Sequence, residues 1–219
     1  MPNWCFTNMT FHGNKKEIED FHAKIEEWTS KELLKNGFGN DWLGNILIGA
    51  GLGDRIDAAD SDIPIRCRGD IIYFGEVEIV SDEAATFDLE QETAWAPMCA
   101  LWTEVINKLG YESIGYSYIA EEPGMEIYEI CDPYGDFPDR YYIDIYLEEE
   151  DEKNEALMEI YNTRYYTEEE DIVDALQGLL NTDETDFKVL KEKAENYQFA
   201  NEHSYLLVYK YDVVDEPFM

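Results

Sequence analysis

The chain has 219 residues, 45% hydrophobic and 14% aromatic, which is enough apolar material for a sizeable core and too much for global disorder. Sixteen Lys plus Arg against fifty Asp plus Glu leave a formal charge of −34. Such a surface repels phosphate backbones and anionic lipid, so the expectation is no direct nucleic-acid binding and no membrane attachment.

The opening residues predict a strand over 4–12 with Trp4, Phe6, Met9 and Phe11 directed inward, and the broken alternation near Asn8 predicts a bulge. Gly13 and Asn14 turn the chain. A helix follows over 15–35, with Ile18, Phe21, Ile25, Trp28 and Leu33 as its apolar stripe and Asn36-Gly37 as its end. Residues 38–69 are glycine-rich and fit neither period for long, which predicts an irregular insertion with one short element over 42–48. Strands over 70–80 and 84–89 come next, joined by a turn at Ser81, Asp82 and Glu83.

The stretch 87–110 organises the rest. Phe87 and Leu89 alternate with Asp88 and Glu90 as on a half-buried strand, and Pro97 then suits the first turn of a helix. Leu101, Trp102, Val105, Ile106 and Leu109 recur at helical spacing, Gly110 supplies a stop, and Trp95 and Trp102 are expected to anchor the helix on a sheet. A strand over 113–120 and a turn at Glu122-Pro123-Gly124 follow. The segments 125–131 and 141–147 read as a hairpin around the loop DPYGDFPD. Beyond it, the acidic run 148–152 reads as a hinge or solvated face, with helices over 154–162, 167–180 and 183–198 and a closing strand over 204–214. Thr167 with Glu170 has capping-box spacing.

This order predicts an α+β protein. Residues 1–148 form a ferredoxin-like split βαβ sandwich (β-α-β-β-α-β) with extra strands and the 38–69 insertion, and 149–219 form a helical appendage with a closing strand. The opening MPNWC with a strand and Gly13 behind it, TAWAP at 93–97 and EPG at 122–124 resemble the YubB ferredoxin-like family of phage- and plasmid-borne proteins, over roughly residues 1–148. The resemblance implies the ferredoxin-like architecture and a mobile-element origin, and it supplies no reaction. This chain departs from the family in having Thr7 where the family tends to carry Asn, and in having no glycine over 125–130.

No motif names a chemistry, and the expectation is no catalytic residue, no cofactor and no metal. Cys5, Cys67, Cys99 and Cys131 form no CxxC pair and read as buried thiols of a reducing cytoplasm. The N-terminus lacks a basic segment followed by an apolar core, so no secretory signal is expected. GAGLG at 49–53 lacks the strand-to-helix setting and the Lys that a phosphate loop needs. Asp132, Asp136 and Asp139 could hold a hard cation but lack EF-hand spacing, and they read better as turn residues. His12, His22 and His203 fall into no HxxxH pairing.

The remaining signal is the acidity. Glu76 with Glu78, Asp88 with Glu90 and Glu92, and Asp144 with Glu148 recur at a spacing that puts carboxylates in rows on a strand face. Tyr142 and Tyr146 lie among them, and tyrosine suits interfaces. These nine residues are the expected interface for a basic partner, a DNA- or RNA-binding protein blocked by charge mimicry, with the oligomeric state left open. Two alternatives stand beside it: a general soluble protein-interaction module whose acidity is a solubilising coat with no mimicry, and a small-molecule enzyme with its site between the 38–69 insertion and the sheet.

Overall fold

A computed structural model describes residues 3–30, 37–57 and 64–215 and gives a mixed α+β protein of two compact units. The first comprises residues 1–137 with 213–219, and the second residues 138–212. The expected boundary at 148 is replaced by one at 137/138, because the strand after the DPYGDFPD loop joins the second unit.

In unit 1, β1 (Trp4–Asn14) runs through the centre of a sheet. α1 (Lys15–Trp28) follows directly, capped by Asn14, whose side chain accepts from the Glu17 N–H. Ile18, Phe21, Ile25 and Trp28 are all buried, as their spacing requires. The helical backbone stops at Trp28, and Leu33 lies outside the described residues. The short element expected over 42–48 is α2 (Leu43–Gly49), with Leu43, Ile46 and Leu47 buried in the core of the unit. Next come β2 (Gly69–Phe74), the two-residue β3 (Glu78–Ile79) and β4 (Ala84–Ala94). The single strand expected over 70–80 is thus broken at Gly75, and β4 runs five residues past its expected end. α3 (Ala100–Leu109) starts three residues beyond Pro97, which precedes the helix rather than entering its first turn. Gly110 ends α3 in the left-handed conformation, φ 75°, which glycine adopts without a Cβ clash. β5 (Gly115–Glu122) and β6 (Ile127–Cys131) complete the unit, and β10 (Asp212–Val213) adds to its edge.

The strand order is β10-β6-β5-β1-β4-β2, with β3 also paired to β4. β1 is antiparallel to both neighbours and its register with β4 is unbroken from Trp4↔Ala94 to Asn14↔Ala84, so no bulge occurs at Asn8. The irregularity falls instead between Ile71 and Tyr73 of β2. The phase of β1 is the opposite of the expected one at its start. Cys5, Thr7, Met9 and Phe11 face the helices, while Trp4 and Phe6 face away. Met9 and Phe11 fix the phase, and period-two alternation then leaves Phe6 on the other side whatever its hydrophobicity. Phe11 stacks on Phe87 at 4.7 Å and meets Trp102 edge-on at 5.4 Å, so the helix that carries Trp102 is seated as expected. Trp95 is not an anchor: it is 44% exposed, has φ 69°, and lies under the Arg68 guanidinium.

In unit 2, β7 (Tyr141–Tyr146) pairs with β8 (Tyr165–Tyr166) and β9 (Tyr205–Lys210), giving the order β8-β7-β9. The expected hairpin of 125–131 with 141–147 therefore does not form, since β6 pairs with β5 and β7 finds both partners farther along the chain. α4 (Glu155–Thr163), α5 (Glu169–Leu180) and α6 (Phe187–Glu195) supply Leu157, Ile160, Ile172, Leu176 and Leu190 to a second core with Ile143, Ile145, Leu206 and Val208. The capping box does not form: Glu168 takes the N-cap of α5 without a side-chain bond, and the Thr167 hydroxyl donates to Asp139 instead. Among the described residues no helix is long and apolar enough to cross a membrane.

Candidate protein interface

The helices of unit 1 contribute to one core with the inward residues of β1, β4 and β5, and the other face of the sheet carries the acids. Residues paired across antiparallel strands share a face. Glu92 faces Asp70 on one side and Phe6 on the other, and Phe6 in turn faces Glu121. The next row holds Tyr73, Glu90, Asn8 and Ile119, and the next holds Asp88, Thr10 and Ser117. Glu78 faces Thr86 one step further along β4. Asp88, Glu90 and Glu92 thus form a line with about 6.8 Å between neighbours, and Asp70 lies one strand over at about 4.8 Å. The Thr10 hydroxyl donates to Asp88 at 2.8 Å and fixes that carboxylate. The Asp70 carboxyl is held above the ordinary aspartate range, by desolvation first and by the Asp41 carboxylate second.

Phe6 is 50% exposed and Tyr73 52% exposed, so the line of acids borders an apolar and aromatic strip. Among the described residues, no strand of this sheet carries Lys or Arg. The helical side differs. There Lys24 pairs with Asp20 at 2.8 Å and Arg55 with Glu104 at 2.7 Å, so carboxylates are interleaved with cations. Arg68, over Trp95, borders the acidic face at the start of β2. At the other end the loop after β6 closes over β1: Tyr134 stacks on His12 at 4.2 Å, and Asp136 meets His12 Nε2 at 2.7 Å.

The nine residues expected to form one interface fall on two units. Glu78, Asp88, Glu90 and Glu92 share the outer face of the first sheet, and Glu76 is exposed in the connection between β2 and β3. Tyr142, Asp144 and Tyr146 lie on the outer face of β7 in unit 2, and Glu148 follows that strand, accepting from the Tyr146 hydroxyl at 3.0 Å. The spacing of each group was legible in the sequence, but membership of separate sheets was not, because it depends on which strand β7 pairs with. Asp70, Glu121, Phe6 and Tyr73 were missed. Their signal was the pairing register, which adjacent residues in the chain do not encode.

The candidate chemistries resolve into structure. Cys5 and His12 project from opposite faces of β1 and cannot share a site. All four thiols are buried, and burial pushes Cys5 and Cys67 up to about 12, so neither is a thiolate at neutral pH. His22 Nε2 lies 2.8 Å from the Gly75 carbonyl while its ring stacks on Phe74, a packing role. Asp132 spends its carboxylate on the N–H groups of Gly135, Asp136 and Phe137, the turn chemistry expected of it. Asp139 belongs to unit 2, and among the described residues no cluster could hold a metal ion. GAGLG spans the end of α2 and the turn after it, with Gly51 at φ 74°. A cavity of about 730 Å³ is an open hollow in unit 2 where Lys210 and Lys191 are already paired with Glu169 and Glu195.

No family model, no curated protein and no solved structure matches the chain.

Proposed function

We propose that this is a non-catalytic binding protein whose unit 1 sheet presents its acidic face to a basic, nucleic-acid-handling protein and blocks it by occupying the surface meant for phosphates. The observation that carries the reading is the outer face itself: Asp70, Glu78, Asp88, Glu90, Glu92 and Glu121 on strands that hold no Lys or Arg. Along β4 the carboxylates recur at about 6.8 Å, twice the axial spacing of about 3.4 Å between phosphates of one DNA strand. A cationic surface shaped for that strand would meet a carboxylate at every second position. The exposed Phe6 and Tyr73 add the apolar contact area that separates an interface from a hydrated coat.

The strand order β5-β1-β4-β2 around two helices supports a ferredoxin-like sandwich for unit 1, and with it the kinship to the YubB family. On that reading the chain comes from a phage or plasmid and acts in the host cytoplasm, the compartment that suits four buried free thiols.

The test is capture of host proteins by the immobilised chain at about 50 mM and about 500 mM salt, where screening differs several-fold. A triple variant, Asp88→Asn with Glu90→Gln and Glu92→Gln, runs in parallel. DNA- or RNA-binding proteins should be retained at low salt, released at high salt, and lost from the variant. Retention that ignores salt, or an unchanged yield from the variant, refutes mimicry; no capture at all leaves the solubilising coat.

A further inference from the structure

The outer face of the unit 2 sheet is built differently from that of unit 1. Tyr165, Tyr142 and Tyr209 lie side by side across β8, β7 and β9, with ring centroids 4.8 and 6.3 Å apart and planes within 27° and 16° of parallel. Two pairs farther along, Tyr146 faces Tyr205, with centroids at 6.1 Å and planes within 24°. These are two ridges of stacked rings four residue steps apart along β7, about 13 Å. The floor between them is the pair Asp144↔Leu207. The helices of the unit pack on the opposite side, against Ile143, Ile145, Leu206 and Val208. Tyr146, Tyr205 and Leu207 are 46%, 42% and 38% exposed, an apolar surface of the kind that marks a binding site.

We propose that this trough receives an arginine side chain from an extended segment of a basic partner protein. The aliphatic stem lies on Leu207, the guanidinium forks onto the Asp144 carboxylate, and the tyrosine ridges wall the trough at either end. Arginine fits better than lysine because its planar fork pairs bidentately with a carboxylate, whereas an ammonium meets it only as a point charge. Rings of this unit already hold cations from the chain: Arg164 lies 4.4 Å over Tyr161, and Lys210 lies 5.1 Å over Tyr141. Asp144 is held in the trough by the Tyr205 hydroxyl, which donates to its carboxylate; burial first and that carboxylate second push the Tyr205 phenol up, with Arg164 opposing. The inference rests on the basic-partner reading only for the sign of the partner's charge, and its surface is a different one.

The probe is a synthetic nine-residue peptide of alternating Ala and Pro with one central Arg, titrated into the full chain while the tyrosine ring signals are followed by NMR. The expected result is saturable shifts of Tyr142, Tyr146 and Tyr205, with binding about tenfold weaker for the Lys peptide and about tenfold weaker in Asp144→Asn. Leu207→Ala, at an exposed position, should weaken it as well and serves if Asp144→Asn folds poorly. The Asp88→Asn, Glu90→Gln, Glu92→Gln variant should bind the peptide unchanged. No saturable shift, equal binding of the Arg and Lys peptides, indifference to both trough variants, or loss caused by the unit 1 variant would each overturn the inference. Salt-sensitive capture by unit 1 alongside a silent trough would sink this inference alone, and the converse result would sink only the mimicry reading.

Discussion

Asp151 shows how far a single residue can differ from its surroundings in sequence. It sits in the run 148–152, which looks like a solvated stretch of charge, yet it is only 4% exposed. Its carboxylate accepts from the N–H groups of Ala200 and Asn201 at 2.7 and 3.0 Å and from the Ser204 hydroxyl at 2.8 Å. Burial by itself would raise its pKa, but these three bonds outweigh that and hold it below the ordinary aspartate value. A carboxyl depressed in the folded state contributes stability above its unfolded pKa and loses it as pH falls through the folded value. Asp151→Asn should therefore cost about 1–3 kcal/mol near neutral pH. The gap between wild type and variant should hold down to about pH 4 and close below it, because the unfolded aspartate titrates near there. Urea denaturation of both proteins across pH 2.5–7 reads this directly, and a gap that persists in acid would show that the bonds to Asp151 do not depend on its charge.

At the scale of elements, the helices differ in how their first N–H groups are satisfied. Asn14 caps α1, Asn154 caps α4 through bonds to the Ala156 and Leu157 N–H groups at 3.0 and 3.3 Å, and Asp186 caps α6. α5 starts at Glu168 with no side-chain cap. Asn154→Ala should therefore lower stability by about 1 kcal/mol, whereas Glu168→Ala, which removes no cap bond, should stay within about 0.5 kcal/mol. Equal losses in a denaturant titration would show that the cap of α4 is not what starts it. The Thr167 and Glu170 pattern failed for a related reason: the Thr167 hydroxyl is used by Asp139, a residue brought beside it only when β7 and β8 pair. The stripe of α1, by contrast, was legible over its described length, since Ile18, Phe21, Ile25 and Trp28 reach the core through 3.6-residue periodicity alone.

The whole molecule carries a formal charge of −34. Self-repulsion at that charge opposes compaction, and added salt screens it beyond roughly 10 Å at 0.1 M. The melting temperature should rise steadily between about 0.02 and 0.5 M sodium chloride. Calorimetry showing a flat or falling temperature would mean the carboxylates are already balanced by local pairing, and would weaken the case for an exposed anionic face.

Composition, the buried stripes of the first two long helices, turn residues and the strand periodicity of 84–89 follow from neighbours along the chain, so the sequence by itself determined an α+β protein with an acidic surface and part of the core of the first unit. The inward phase of β1, the choice of β8 and β9 as partners of β7, the division at 137/138 and the assembly of Asp70, Glu92, Phe6 and Glu121 into one row were decided by tertiary structure. Strand pairing joins residues far apart in the chain through backbone hydrogen bonds that any side chain permits. Which carboxylates stand together is therefore set by the register of the folded sheet rather than by local sequence.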